Sequence, residues 1–241
     1  MANLLEYEKQ IEHQDSGTKP FFREIYTLLK DSAKTYIKPR QGRIRRYIVL
    51  SGLVYLVFMS VEFALKTTIA SYYMFRIGFS PSELGYFKAI QAVLGIVAQI
   101  LLVFGGKRIM LLSDTTIVLI GIASLTAEMV LLGVATNKLM VYISAVAGVF
   151  NGLATPTMKS VVAQLVEPNE VGKAFIVFGI AADIAFISGL AVYNNVYAAT
   201  VDWMPGFVFL FVALLSLCCF LCYLYVHIGL IKDRNAKLSI Q

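Results

Sequence analysis

The chain has 241 residues, 58% of them hydrophobic and 15% charged, with a net charge of +6 at pH 7 and a mean hydropathy of +0.72. A water-soluble domain carries about 25% charged residues, so this chain lacks the polar surface to cover itself and reads as an integral membrane protein. The excess of positive charge sits where it orients spans in a bilayer, and no nucleic-acid partner is expected.

Residues 1–46 form a polar segment that reads as cytoplasmic. Phe21, Phe22, Ile25, Leu28 and Leu29 give it one amphipathic helical stripe, suited to lie on the membrane face or against the bundle. It ends in KPRQGRIRR, a block of cations abutting an apolar run, which is the pattern of an inside anchor.

A bundle of six apolar runs follows over residues 47–230, each close to the ~20 residues that a helix needs to cross hydrocarbon. The runs are Tyr47–Phe75, Leu84–Phe104, Thr115–Leu132, Leu139–Thr155, Ala174–Tyr197 and Pro205–Leu230, and residues 231–241 form a polar tail. The fold class is therefore all-α with six transmembrane helices. Strands have no support, because an open sheet cannot span lipid and the runs are too continuously apolar for a barrel. The fourth run is short, and Gly148, Gly152 and Pro156 mark it as an irregular helix able to pack closely. Beyond Pro156, the apolar residues Val161, Val162, Leu165 and Val166 keep helical spacing, and Glu167-Pro168-Asn169-Glu170 reads as a turn.

With the first segment inside, every Lys and Arg except Lys66, Arg76, Lys88 and Lys138 falls on the inner side or in its tails. This asymmetry predicts cytoplasmic termini.

An ionisable group within a span is costly, so each one is a candidate for function. Glu62 and Lys66 stand four apart on one face of the first span. They either pair with each other or face a polar cavity, where Glu62 could exchange a proton. Lys88, Gln91 and Gln99, with Gly95 among them, form a stripe on the second span that is a cavity wall or a polar helix seam. Glu128 and Asp183 are further candidates, Asp183 four residues beyond Gly179, and Lys159 sits where a long cation can reach an interface or face the bundle interior. His227 reads as an interface residue, and Cys218, Cys219 and Cys222 as small apolar fillers of a helix. Gly105-Gly106-Lys107-Arg108, followed by Asp114, places a basic pair and an acid in a short inner connection that can gate helix ends. The motifs of nucleophilic, phosphate-binding and metal-dependent enzymes are missing, so no enzyme activity, cofactor or metal is expected.

Two stretches resemble a known family. They are TPTMKSVVAQLVEPNEVGKAF, Thr155 to Phe175, and YNNVYAATVDWMPGFVFL, Tyr193 to Leu210. Together they are similar to the C-terminal half of proton-coupled folate transporters and the thymic stromal cotransporter-like solute carriers, within the major facilitator superfamily. In the second stretch Asn194, Tyr197, Ala199, Thr200, Gly206 and Phe207 match the family pattern, and Pro205 does not. The resemblance covers Arg46 to Leu230 and implies one six-helix half of a twelve-span carrier in the plasma or endolysosomal membrane. It implies small organic solutes and protons as ligands, membrane lipid around the bundle, and a missing N-terminal half or a second copy as partner. It aligns Lys159 with a functional basic residue of the family, keeping the charge but not the bidentate fork of arginine. It places Glu62 at or beside an intramembrane histidine, as the protonatable group. Glu62, Lys66, Gln91, Lys159 and Asp183 are thus expected on the substrate and proton pathway, with Lys107, Arg108 and Asp114 in a gating loop. The competing reading is a six-helix membrane module that does not transport but pairs with or regulates a full-length carrier.

Overall fold

The structure, a computed structural model, describes residues 23, 26–32, 34–36, 38–40, 42–106 and 111–238, with backbone alone at 63–68, 237 and 238. Seven helices account for most of it: α1 (Ile44–Phe75), α2 (Pro81–Leu101), α3 (Asp114–Gly133), α4 (Lys138–Ala147), α5 (Ala154–Leu165), α6 (Val171–Thr200) and α7 (Phe207–Leu238). A π-helical turn, Leu102–Gly106, extends α2, and short 3-10 turns at Asn151–Leu153 and Pro168–Glu170 flank α5. The described residues contain no strand. Six helical stretches are long and apolar enough to cross a membrane, with α4 and α5 counting as one, Lys138–Leu165. The architecture is consistent with one half of a major facilitator fold.

The fourth span departs from its sequence reading. It does not stop at Thr155; the break falls earlier, between Ala147 and Ala154, and the helix resumes to Leu165. Pro156 sits in the first turn of α5, where its missing N–H costs nothing because no intrahelical acceptor is there to receive one. Phase explains the difference: a proline just inside a helix start and one just past a helix end look alike in a string.

Packing divides the bundle into two interlocked pairs. α1 runs along α6, where Tyr55 meets Phe178 edge to face at 4.4 Å and Ser60 Oγ lies 2.7 Å from Tyr193 Oη. α3 runs along α7, joined by Thr126 and Ser216 at 2.8 Å and by Thr115 and His227 Nδ1 at 2.6 Å. Gly133, at the end of α3, and Gly206, just before α7, let the two segments touch backbone to backbone, since a Cβ on Gly206 would stand 2.0 Å from the Gly133 carbonyl oxygen. By contrast α2 buries only Phe87 and Gly95, so most of its apolar surface is left for lipid or a partner. Its start is well fixed: Ser80 and Glu83 form a capping box behind Pro81. Glu83 also pairs with Lys138 at 2.8 Å, tying α2 to α4.

On the opposite end, the polar N-terminal segment is anchored to the α5–α6 turn. Lys38 bonds Glu170 at 2.8 Å and Glu167 at 3.1 Å, and Arg40 pairs with the other oxygen of Glu170. The carboxylates, Glu170 foremost, hold the Lys38 ammonium above its ordinary pKa. Of the amphipathic stripe, Leu28 and Leu29 are exposed, while Phe21, Phe22 and Ile25 lie outside the described residues.

Candidate functional site

A cavity of about 500 Å³ opens between α1, α2, α3 and α4. Its apolar lining includes Val61, Ile69, Leu125 and Met129, and its polar groups are Glu62, Lys88, Gln91, Gln99, Glu128 and Asn151. The stripe on α2 supplies three of these because offsets of three and eleven return a helix to one face.

Glu128 is the centre of the arrangement. It is 5% exposed, and a buried carboxylate is tolerated only when its oxygens are bonded. Gln91 Nε2 donates to Oε1 at 3.2 Å, and Asn151 Nδ2 donates to Oε2 at 2.7 Å. Lys88 Nζ donates in turn to Gln91 Oε1 at 3.0 Å, so a cation and an acid are joined through one carboxamide. The same ammonium lies 5.3 Å from the ring centre of Tyr73 and 5.5 Å from that of Phe87. Among the described residues Lys88 is the cation that lines the cavity.

The wall formed by the fourth span is irregular for a local reason. Gly148 closes α4, and a Cβ there would stand 2.1 Å from Glu128 Oε2. A Cβ on Gly152 would likewise stand 2.8 Å from Nε2 of the Gln99 carboxamide. Side chains at these two positions would refill the space that Glu128 and Gln99 occupy. The backbone freed by the break is met by α3 and α2: Ser124 Oγ donates to the Ala147 carbonyl and accepts from Phe150 N–H at 3.2 Å, while Gln99 Nε2 donates to the Val149 carbonyl at 3.1 Å.

Of the residues singled out in the sequence, Glu62 and Gln91 line this cavity, together with Lys88, Gly95, Gln99 and Glu128. The α2 stripe is cavity wall and polar seam at once. Lys159 is elsewhere: it is half-buried on α5, its Nζ 5.4 Å from the ring centre of Tyr55. Asp183 is exposed on α6 and away from the cavity lining. Asp114 starts α3, and its Oδ2 accepts from Ser160 Oγ at 3.2 Å and Gln164 Nε2 at 2.6 Å, linking α3 to α5. The side chain of Lys66, and Lys107 and Arg108 altogether, lie outside the described residues. Asn151 went unnoticed in the sequence; its signal was a carboxamide lying between two glycines already read as a helix irregularity. Among the described residues no group of three or more His, Cys, Asp or Glu side chains could hold a metal ion. Cys218 and Cys222 are exposed and Cys219 is buried, all as free thiols.

No family profile matches the chain. Curated relatives do. The lysosomal proton-coupled steroid conjugate and bile acid symporter SLC46A3 of Gallus gallus is 35% identical over 107 residues, covering 44% of this chain and 23% of that protein. The proton-coupled folate transporter of Rattus norvegicus is 23% identical over 197 residues, 80% of this chain and 42% of that protein. Solute carrier family 46 member 2 of Canis lupus familiaris is 27% identical over 124 residues, 52% of this chain and 25% of that protein. The chain spans less than half the length of these relatives. They are the kind of carrier that the two sequence stretches resemble, so the chain's homologues are solute carriers of the major facilitator superfamily.

Proposed function

We propose, from homology to solute carrier family 46 proteins, that this chain forms one half of a proton-coupled transporter of a small organic anion, such as a folate-like compound. The observation that carries this reading is the polar cavity set among membrane-spanning helices and walled by a broken span. Carriers of this architecture hold solutes near the midplane beside discontinuous helices, and expose them alternately to the two sides as the halves rock. Lys88, steadied by Gln91 and two aromatic rings, offers a cation to an anionic group, while Val61, Ile69, Leu125 and Met129 receive its apolar body. Glu62 shares the cavity and is suited to carry a proton, with Lys66 four residues on. Lys159, off this cavity, would serve as the counter-charge to the anionic solute or to an acid of the other half, with Asp183 on the same pathway; that other half is either an N-terminal six-helix bundle or a second copy. The basic pair Lys107 and Arg108, with Asp114 bound to α5, would form the inner gate, and both termini would face the cytoplasm. Homology to carriers supports transport rather than enzymatic turnover.

The experiment is uptake of labelled organic anions into proteoliposomes under an inward proton gradient, with the other half supplied. Saturable uptake that the gradient accelerates is expected. A six-helix module that only binds or regulates a carrier would instead alter that carrier's flux and show none of its own when combined with an otherwise inactive half.

A further inference from the structure

We propose, building on the proton-coupled reading, that Glu128 is a positioning residue whose protonation loosens the break in the fourth span. The geometry points to it because α3 holds the break with two side chains four residues apart on one helix face, Ser124 and Glu128. Ser124 bridges the Ala147 carbonyl and the Phe150 N–H. Glu128 grips the other edge through Asn151, which lies inside the 3-10 turn, and it fills the space that Gly148 leaves open. Both clamps rest on α3, which is buried along most of its length, so the break is held against a fixed strut. Only one of the two clamps can change charge.

The consequences follow from hydrogen-bond chemistry. As a carboxylate, Glu128 accepts from two carboxamide N–H groups, and such charge-assisted bonds are about twice as strong as neutral ones. When hydronium in the cavity gives it a proton, water is released, the group becomes neutral, and one oxygen turns from acceptor into donor. The Asn151 and Gln91 amides both present N–H to it, so one of them must rotate to offer its oxygen. Rotation of Gln91 would give up the bond from Lys88; rotation of Asn151 would replace its charge-assisted bond to Glu128 by a neutral one and so weaken the hold on the turn. Either way, proton binding is transmitted to a segment where helical hydrogen bonds are already missing.

The ionisable groups facing Glu128 are Lys88 on α2 and Glu62 on α1, with Tyr73, also on α1, nearby; the side chain of Lys66 lies outside the described ones. The α4 wall and the turn contribute Ala145, Gly148, Val149, Asn151 and Gly152, none ionisable. α5 and α7 meet α3 at Gly121–Ala154 and Thr126–Ser216; their other contacts, Ser160 and Gln164 with Asp114 and His227 with Thr115, bring the titratable Asp114 and His227 to the start of α3, over three turns from Glu128. A charge at Glu62 can therefore shift the response, which makes it the necessary control.

The test uses the full chain in lipid nanodiscs and needs no transport assay, so its failure is distinct from failure of the transport reading. Hydrogen–deuterium exchange of the peptide containing residues 148–153, corrected for intrinsic rate, is followed from about pH 8 to about pH 4. In the wild type, exchange rises about fivefold on acidification, the effect of losing one such hydrogen bond. Glu128→Gln exchanges fast at every pH, and Glu62→Gln keeps the step. Asn151→Ser removes the step while infrared difference spectra still show a carboxylic acid appearing on acidification, a band absent only in Glu128→Gln. Absence of a step in the wild type, or its survival in Glu128→Gln or Asn151→Ser, overturns the proposal. Should Glu128→Gln not fold, the Asn151→Ser and wild-type comparison decides by itself.

Discussion

Gly148 stands against Glu128 so closely that a methyl group on it would lie 2.1 Å from Oε2 and 2.3 Å from the carboxyl carbon. The carboxylate cannot yield without abandoning Asn151, which it meets at 2.7 Å. Gly148→Ala should therefore destabilise the chain by about 1–3 kcal/mol, the range for overpacking a filled site. Gly179 is a fair control, as it lies within α6 with nothing inside 4 Å of an added Cβ. Gly179→Ala should stabilise by about 0.5–1 kcal/mol through helix propensity. Thermal unfolding in one detergent compares them, and equal shifts would contradict the packing described.

At the other end of the bundle, Glu170 and Glu167 separate two kinds of ion pair. The side chains of Arg40 and Glu170 are 9% and 11% exposed, whereas Glu167 is 55% exposed. Glu170→Ala leaves a buried guanidinium short of its partner and should cost about 1.5–3 kcal/mol. Glu167→Ala should cost no more than about 1 kcal/mol. Limited proteolysis within residues 38–46 would report release of the segment, expected in the first variant alone.

Lys159 offers a contrast between charge and shape. Its ammonium lies over Tyr55, and in an assembled carrier Lys159→Ala should lower uptake by tenfold or more, about 1.4 kcal/mol, within the range of a partly desolvated cation contact. Lys159→Arg should keep part of the activity, because the charge survives. Uptake at the wild-type level in the alanine variant would remove Lys159 from the pathway.

Orientation is testable with single cysteines after Cys218, Cys219 and Cys222 are replaced. Asn169 and Asp202 are both exposed, in the α5–α6 and α6–α7 connections. An impermeant maleimide applied to sealed right-side-out vesicles should label Asp202→Cys and spare Asn169→Cys. The reverse pattern would invert the proposed topology.

How far the sequence reached can be traced through individual residues. The six spans were legible because length and apolar composition are properties of the string itself. The Lys88, Gln91 and Gln99 stripe was legible because polar positions at helical spacing stand out from an apolar background. Glu128 stood out as a costly charge, but its partner Asn151 lies 23 residues away, and only the fold brings a turn back onto α3. Placement of Asp183 was beyond reach for a different reason. In a span that is apolar all round, no stripe marks which side faces the neighbouring helices, so a lone charge has no assignable direction. The break at residues 148–153 was visible as glycines, yet Pro156 drew the boundary too late because proline suits a helix start as well as a stop.

The central claim is that the cavity belongs to a proton-coupled carrier, and proton-driven flux tests it most directly. The chain would be co-reconstituted with the N-terminal six-helix half of a homologous solute carrier family 46 protein, and uptake of a labelled organic anion followed with and without an inward proton gradient. Uptake should saturate with substrate, rise with the gradient and collapse when a protonophore is added. Uptake that ignores the protonophore, or that equals that of vesicles holding the N-terminal half alone, would contradict it.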